Sequence, residues 1–325
     1  MRLKCRIHPC LRNNQLTVCR LLENRSITVV NYPLVDSGES YFVIGSCNGL
    51  ICLLQELHFN EEYHEFSLRF WNPTTTSLST KLGSFLNPFM VSNLRFQFAY
   101  DGLSDKYKVV AFCPNEVRVF TSGDNAWKNI QSFPIDPYYN LGNRGVYLSN
   151  SLNWFAVRNK VRSVYNPWQS RSLNLDQFFI ISLDLGMETY ALLHLPQSSD
   201  EVSHVMPIVS ILMNCLCFTH FTKGDEFVIW QMREFGVEDS WTKLFQFSYQ
   251  SKGNIYNGDG YSNLLPLHVI ENGDTLILVV CQGPFGKGQL IRYNRRDNRV
   301  ENTGITNDMY WFFVKHYVES FESIC

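Results

Sequence analysis

Two cysteines with a histidine nearby are the first residues in the sequence that could bind a metal ion. Cys215 and Cys217 alternate along an apolar stretch, and His220 follows three residues later. A tetrahedral zinc site needs four ligands close together, and the sequence has no second Cys-x-Cys or Cys-x-x-Cys pair to supply the rest. We therefore expect these cysteines to be small buried side chains, and we predict no metal site.

Other catalytic and cofactor motifs are incomplete. The glycine-rich stretch 283–288 contains Lys287 but lacks the Ser or Thr that follows the lysine of a phosphate-binding loop. No Gly-x-Ser-x-Gly or His-Glu-x-x-His motif occurs. Asp101, Asp105 and Asp184 lie in predicted turns, where sequence spacing alone cannot show whether two of them pair as acid and base. The sequence predicts no cofactor and no catalytic residue.

Aromatic residues in polar loops are the best candidates for a binding site. Loops on a rigid scaffold carry most recognition residues, and exposed Tyr and Trp commonly anchor protein interfaces. Three loops qualify, at residues 134–140, 165–171 and 256–261. We predict partner binding by their aromatic residues, with packing against the protein's own surface as the alternative; they are Tyr138, Tyr139, Trp168, Tyr256 and Tyr261.

A repeated β-unit must position these loops, and residues 46–75 contain its clearest copy. Asn48-Gly49 lies between apolar runs, which is a strong signal for a type I′ hairpin because both residues must adopt positive φ. The last strand of the unit ends at Trp71-Asn72-Pro73, since proline cannot donate a hydrogen bond to a sheet. The unit therefore reads as strand, tight turn, strand, loop, strand, turn.

Weaker copies of this unit follow along the whole chain at intervals of roughly 45 to 65 residues. An asparagine recurs between the first two strands of four units, at Asn48, Asn150, Asn214 and Asn272. Repeats of roughly 40 to 50 residues with four short strands are typical of β-propeller blades. The sequence predicts an all-β propeller of about six blades, in which a C-terminal strand near Tyr317 pairs in the blade of an N-terminal hairpin at residues 16–29.

The composition narrows the class of protein further. The net charge of −2 gives no basic field for nucleic acid, and the longest apolar run, residues 276–281, is too short to span a membrane. Residues 1–6 are not followed by the apolar stretch of a secretion signal. We expect a single domain over residues 1–325, in the cytoplasm, the nucleus or both, without nucleic-acid or membrane partners.

Five ordered motifs resemble the plant F-box-associated interaction domain, type 1. Residues 98–110, Phe-Ala-Tyr-Asp-Gly-Leu-Ser-Asp-Lys-Tyr-Lys-Val-Val, resemble its Gly-Tyr-Asp-Pro and Asp-Asp-Tyr-Lys-Val-Val signature. Residues 46–54 resemble its Ser-Cys-Asn-Gly-Leu start, and residues 70–75 resemble its Trp-Asn-Pro-Thr-Thr element. Residues 182–185 with Leu195-Pro196, and residues 317–321, complete the series. The matches span about residues 40–321.

The resemblance implies a kelch-like propeller that recognises the target of an SCF-type E3 ubiquitin ligase. Members of the family usually carry a preceding F-box, a helical segment that docks a Skp1-like subunit. Residues 1–40 read as part of the first blade, so we find no F-box segment in them. We expect a Skp1-like partner only where a longer form of the protein supplies an F-box. We expect a non-enzymatic module that binds a target protein. The alternatives are a propeller hydrolase or lyase with acids in its channel, and a carbohydrate-binding propeller.

Overall fold

The computed structural model describes residues 15–21, 27–33, 41–88, 94–138, 145–158, 173–196, 201–203, 207–223, 226–248, 262–270, 273–282 and 288–306. Almost every regular element in these ranges is a β-strand; two short 3-10 helices, Leu175–Gln177 and Glu238–Ser240, are the exceptions. The chain divides into two compact units. Unit 1 comprises Met1–Phe133, Leu185–Glu188 and Phe313–Cys325, and unit 2 comprises Pro134–Asp184 and Thr189–Phe312.

Unit 1 contains an N-terminal hairpin and two larger antiparallel sheets. The hairpin pairs β1 (Gln15–Leu21) with β2 (Ile27–Pro33), as predicted. Sheet 1 consists of β3 (Phe42–Cys47), β4 (Leu50–His58), β5 (Tyr63–Asn72), β6 (Ser77–Leu78) and β7 (Leu82–Pro88), with both β6 and β7 pairing with β5. Sheet 2 consists of β8 (Arg95–Asp101), β9 (Lys106–Cys113), β10 (Glu116–Thr121) and β11 (Ala126–Ile130).

Unit 2 contains three four-stranded sheets and one short two-stranded sheet. Sheet 3 consists of β12 (Val146–Leu148), β13 (Ser151–Val157), β15 (Phe178–Asp184) and β16 (Tyr190–His194); β14 (Leu173–Asn174) pairs with β17 (Glu201–Val202). Sheet 4 consists of β18 (Ile208–Leu212), β19 (Cys215–Phe221), β20 (Glu226–Met232) and β21 (Trp241–Ser248). Sheet 5 consists of β22 (Ser262–Val269), β23 (Thr275–Gln282), β24 (Gly288–Asn294) and β25 (Arg299–Thr306).

Sheets 2 to 5 are simple four-stranded antiparallel meanders, which is the architecture of a propeller blade. Within unit 1 the first strands of successive sheets, β3 and β8, contact each other, and within unit 2 β18 contacts both β12 and β22. The predicted β-propeller fold class is confirmed. Residues 307–325 lie outside the described ranges, so the count of about six blades and the closing strand near Tyr317 stay predictions. The single domain over residues 1–325 also stays a prediction.

The turns between first and second strands follow the asparagine positions that the sequence indicates. Asn48 has φ 47° and Gly49 φ 81°, the two positive values that a type I′ turn requires. Asn150 and Asn214 also have positive φ, at 61° and 60°. An asparagine tolerates this conformation better than most residues, since its short polar side chain bonds locally. These three positions confirm the prediction, and Asn272 lies outside the described residues.

Hydrogen bonds between the outer strands tie neighbouring sheets together within each unit. The indole N–H of Trp127, in β11, donates to the carbonyl of Gly83, in β7 of the preceding sheet. In unit 2, the indole N–H of Trp241 donates to the His194 carbonyl at 3.0 Å. The Arg295 guanidinium makes the corresponding contact with the Leu244 carbonyl, at 3.4 Å. In each unit, a side-chain donor on an outer strand, or in the hairpin that leads to it, therefore holds adjacent sheets together.

Candidate protein-interaction site

The strand topology of unit 2 defines one end of each sheet, which we call the loop end. In an antiparallel meander, the second strand ends where the third begins, and the chain enters the first strand at that end too. Val157 at the end of β13 pairs with Phe178 at the start of β15, so both lie at the loop end of sheet 3. Pro137, which forms a bridge with Ala156, lies there as well. The predicted loops 165–171 and 256–261 lie outside the described residues.

Short β-pairings join the loop ends of sheets 3 and 4. Strand β14, which precedes β15, pairs with β17, which leads into sheet 4. Val202 of β17 forms a further bridge with Thr222, and the Ser203 N–H donates to the Phe221 carbonyl at 2.8 Å. Backbone pairing on both sides of β17 therefore holds the two loop ends side by side. This arrangement provides a rigid base for the connections that leave it.

Tyr138 is the predicted binding residue that the structure describes. Its backbone N–H donates to the Phe155 carbonyl at 2.8 Å, and Pro137 forms a bridge with Ala156. The Tyr138 ring contacts the Phe155 ring edge-on, with 6.2 Å between centroids, and remains half-buried. Half of this side chain therefore packs on its own sheet while the rest reaches solvent. Its role in partner binding stays a prediction.

The remaining four predicted binding residues lie outside the described residues, and their role also stays a prediction. They are Tyr139, Trp168, Tyr256 and Tyr261.

The cysteines and histidine that could have bound a metal point to different places. Residues two apart on a strand share a face, so Cys215 and Cys217 lie on one face of sheet 4 and His220 on the other. His220 is buried and accepts a hydrogen bond from the Trp230 indole at 3.2 Å. Burial raises the pKa of the Cys217 thiol to about 12, so it stays protonated at neutral pH. Among the described residues, no group of three or more His, Cys, Asp and Glu could hold a metal ion.

The acids of the 98–110 motif are engaged within their own hairpin. The Asp101 carboxylate accepts hydrogen bonds from the Leu103 N–H at 3.0 Å and the Ser104 hydroxyl at 2.8 Å. Asp105 accepts one from the Tyr100 hydroxyl. These contacts close the turn between β8 and β9. The third predicted turn acid, Asp184, is half-buried, and its N–H donates to the Thr189 carbonyl at 3.0 Å.

Lys108 of the same motif forms a buried ion pair. Lys108 Nζ lies 3.2 Å from Asp101 Oδ2, and both side chains are almost fully buried. Lys108 also donates to the Leu185 carbonyl and lies 3.5 Å from Glu188 Oε1, in the short segment that belongs to unit 1. Glu188 in turn pairs with Lys128 at 2.8 Å. The motif therefore contributes a structural charge network, which sequence reasoning did not anticipate.

Sequence reasoning also missed a set of exposed apolar residues at the loop end of sheet 1. Leu57, Phe59 and Leu86 are 41%, 59% and 45% exposed. The signal available in the sequence was a phenylalanine in the otherwise polar turn that links β4 to β5. Leu57 lies in β4, Leu86 in β7, and Phe59 in the turn between β4 and β5.

A carboxylate contact from the 3-10 helix Glu238–Ser240, which precedes β21, to His194 in the outer strand of sheet 3 makes stability depend on pH. Glu238 Oε1 accepts the His194 backbone N–H at 2.7 Å and lies 2.9 Å from His194 Nδ1. These contacts, the backbone hydrogen bond first, lower the pKa of Glu238 in the folded protein. The resulting stabilisation is present above the ordinary pKa of glutamate, 4.5, and is lost as pH falls through the lowered value.

We therefore expect Glu238→Gln to lower the free energy of unfolding at pH 7 by only a few tenths of a kcal/mol, since both side chains are well exposed. The difference in stability between the two proteins should disappear below the pKa that Glu238 has in the folded protein. Urea titrations of both proteins at several pH values would test this; a difference that grows as the pH falls would contradict it.

Comparison with known proteins places these features in a family context. No protein-family profile matches the chain. The F-box protein CPR1 of Arabidopsis thaliana is 27% identical over 280 residues, covering 75% of this chain and 62% of that protein. An F-box/kelch-repeat protein of the same plant is 29% identical over 219 residues, covering 64% of this chain and 53% of that protein. The chain is thus similar in sequence to plant F-box proteins.

The resemblance drawn from the five motifs is thereby confirmed. The chain spans about half to two thirds of the length of the two proteins. Among solved structures it is similar to the periplasmic gluconolactonase PpgL of Pseudomonas aeruginosa, with 10% identity, a TM-score of 0.45 and coverage of 92% of this chain and 80% of that one. An apocarotenoid oxygenase of Synechocystis gives 10% identity, a TM-score of 0.42 and coverage of 95% and 70%. No helix in the described part of the chain is long and apolar enough to cross a membrane.

Proposed function

We propose that the chain is a non-enzymatic protein-interaction module that binds a target protein through loops at the loop ends of its sheets. The similarity to plant F-box proteins is the observation that carries this proposal. The backbone pairings that join the loop ends of sheets 3 and 4 support it, because recognition residues commonly lie on loops that a rigid base holds. The engagement of Asp101 and Asp105 in turn contacts agrees with a structural role for these acids.

The proposal extends to ubiquitin ligation. F-box proteins are adaptors of SCF-type E3 ligases, in which one segment docks a Skp1-like subunit and another recruits the target. In this scheme the chain supplies target recognition, and an F-box in a longer form supplies Skp1 docking. The target would then be presented for ubiquitination without any chemistry by the propeller itself.

Affinity capture from plant extract tests the binding face. The intact chain would be compared with a triple variant carrying Tyr138→Ala, Tyr139→Ala and Trp168→Ala. Because aromatic anchors contribute on the order of 2 kcal/mol each to interfaces, we expect target recovery to fall at least about tenfold. The measurement is quantitative mass spectrometry of the captured proteins.

The matched control is Met213→Ala, which removes a 54% exposed apolar side chain at the opposite end of sheet 4. This variant should recover targets as well as the intact chain does. Equal recovery by the triple variant would reject these loops as the binding face. Failure of the intact chain to enrich any protein would reject the interaction module itself.

A further inference from the structure

The hairpin that links β4 to β5 ends in a rigid turn that holds an aromatic side chain outward. Asn60 Oδ1 accepts the backbone N–H groups of Glu62 and Tyr63, each at 2.9 Å. The N–H groups of Phe59 and Asn60 both donate to the Tyr63 carbonyl, at 3.0 and 3.2 Å. Four hydrogen bonds therefore fix this short turn. Phe59 stays 59% exposed within it.

Two further exposed leucines lie in strands next to this turn. Leu57 in β4 and Leu86 in β7 both pair with Glu65, which lies between them in β5. Directly opposed residues in an antiparallel sheet point to the same face, so the two leucines flank Glu65 on one side. They are 41% and 45% exposed. We call Leu57, Phe59 and Leu86 the tip patch.

The charges around the tip patch are mostly negative. His64 lies 2.9 Å from Glu56, and Lys81 lies 3.1 Å from Glu65. Glu61 and Glu62, in the turn itself, are exposed, and no cation of the described residues forms an ion pair with either. The turn thus places two uncompensated carboxylates beside Phe59. An approaching surface must match both the apolar side chains and this negative rim.

We propose that the tip patch docks a segment of a partner protein in which apolar side chains are flanked by Lys or Arg. Exposed apolar groups on a rigid turn favour burial by a partner, and aromatic residues commonly anchor such contacts. Charge complementarity selects the partner, since cations approach Glu61 and Glu62 favourably while anions are repelled. The tip patch lies at the loop end of sheet 1. This inference rests on the proposed function and names the chemistry of one contact.

Synthetic peptides provide a defined probe for this site. A fluorescent 12-residue peptide of alternating Leu and Lys would be titrated with the intact chain and followed by anisotropy. One comparison peptide replaces every Lys with Glu, and another replaces every Leu with Ser. We expect the Leu/Lys peptide to bind at least about tenfold more tightly than either, and its affinity to fall as salt is added. Equal binding of the Glu peptide would overturn the proposal.

Substitutions in the exposed turn locate the contact. Phe59→Ser should weaken binding of the Leu/Lys peptide about tenfold, and Glu61→Lys with Glu62→Lys should weaken it several-fold. The matched control is Leu103→Ser, which changes a 78% exposed apolar residue at the opposite end of sheet 2. Unchanged affinity in the Phe59 and glutamate variants would overturn the proposal.

Two further measurements separate docking of a basic partner at the tip patch from two alternatives. In the first alternative a second copy of the chain covers the tip patch, and in the second only the predicted loops of unit 2 bind the target. Self-association of the chain that Phe59→Ser abolishes would show that a second copy covers the tip patch, and would overturn docking of a basic partner. Capture of targets that depends on Tyr138, Tyr139 and Trp168 but not on Phe59 would overturn this inference and leave the proposed function intact. Circular dichroism of each variant confirms that it is folded.

Discussion

Replacing Lys108 with methionine is expected to lower the free energy of unfolding by about 3–5 kcal/mol, as found when one partner of a buried ion pair is removed. The Asp101 and Lys108 side chains are 2% and 8% exposed, and their charged atoms are 3.2 Å apart. Without Lys108, the Asp101 carboxylate would remain buried and lose the cation that lies beside it. Glu188 would lose one of its two lysine contacts as well. Urea unfolding followed by tryptophan fluorescence measures the loss.

Lys106 offers a matched control two residues earlier on the same strand. It pairs with Asp124 at 2.8 Å, but the Lys106 and Asp124 side chains are 35% and 62% exposed, far more than the buried pair. We expect Lys106→Met to cost less than about 1 kcal/mol. The double variant Asp101→Asn with Lys108→Met should recover part of the loss, because it leaves no unpaired buried charge at this pair. Equal losses for the Lys106 and Lys108 variants would contradict a special role for the buried pair.

Replacing Phe155 with alanine is expected to lower the free energy of unfolding by about 3–5 kcal/mol, through lost apolar burial and the cavity that remains. Phe155 is 1% exposed. Its ring lies 5.2 Å from that of Phe178 and 6.0 Å from that of Phe218, so it joins sheets 3 and 4 within unit 2. It also supports the Tyr138 ring at the loop end. Denaturant titration gives the overall loss.

Hydrogen exchange separates the local effect of this substitution from the global one. The Tyr138 N–H bonds to the backbone carbonyl of residue 155, so a loosened loop end should exchange this amide faster than global unfolding explains. Leu192→Ala is the control in the same sheet, because Leu192 is already 36% exposed, and it should cost less than about 1 kcal/mol. A small loss for Phe155→Ala would show that the two sheets do not depend on this contact.

Sequence reasoning was most accurate where the physics is local. Asn48-Gly49 predicts a type I′ turn because the steric freedom needed for positive φ belongs to the residues themselves, and the structure has that turn. Proline at position 73 cannot extend a sheet, and β5 ends at Asn72. Alternating apolar residues separated by such turns were therefore enough to recover the four-stranded sheets and the fold class.

The candidate site was only partly predictable for the same reason. Tyr138 is held at the loop end of sheet 3 by its backbone bond to residue 155, a pairing that the sequence of its own loop does not reveal. The bridges that join sheets 3 and 4 pair residues such as Val202 and Thr222, whose partners no local pattern reveals. Phe59 belongs to a polar turn and reads as an ordinary loop residue. Its 59% exposure, and the register that sets Leu57 and Leu86 beside Glu65, became apparent only in the folded protein.

The sequence by itself determined the strands, the tight turns and the resemblance to plant F-box proteins, because each depends on residue types close together along the chain. Tertiary structure alone decided that Lys108 is buried. On a strand that alternates, a lysine next to Tyr107 reads as solvent-facing, yet its ammonium group meets the carbonyl of Leu185, 77 residues away. Such burial depends on which distant segment covers a position, and local spacing carries no information about that.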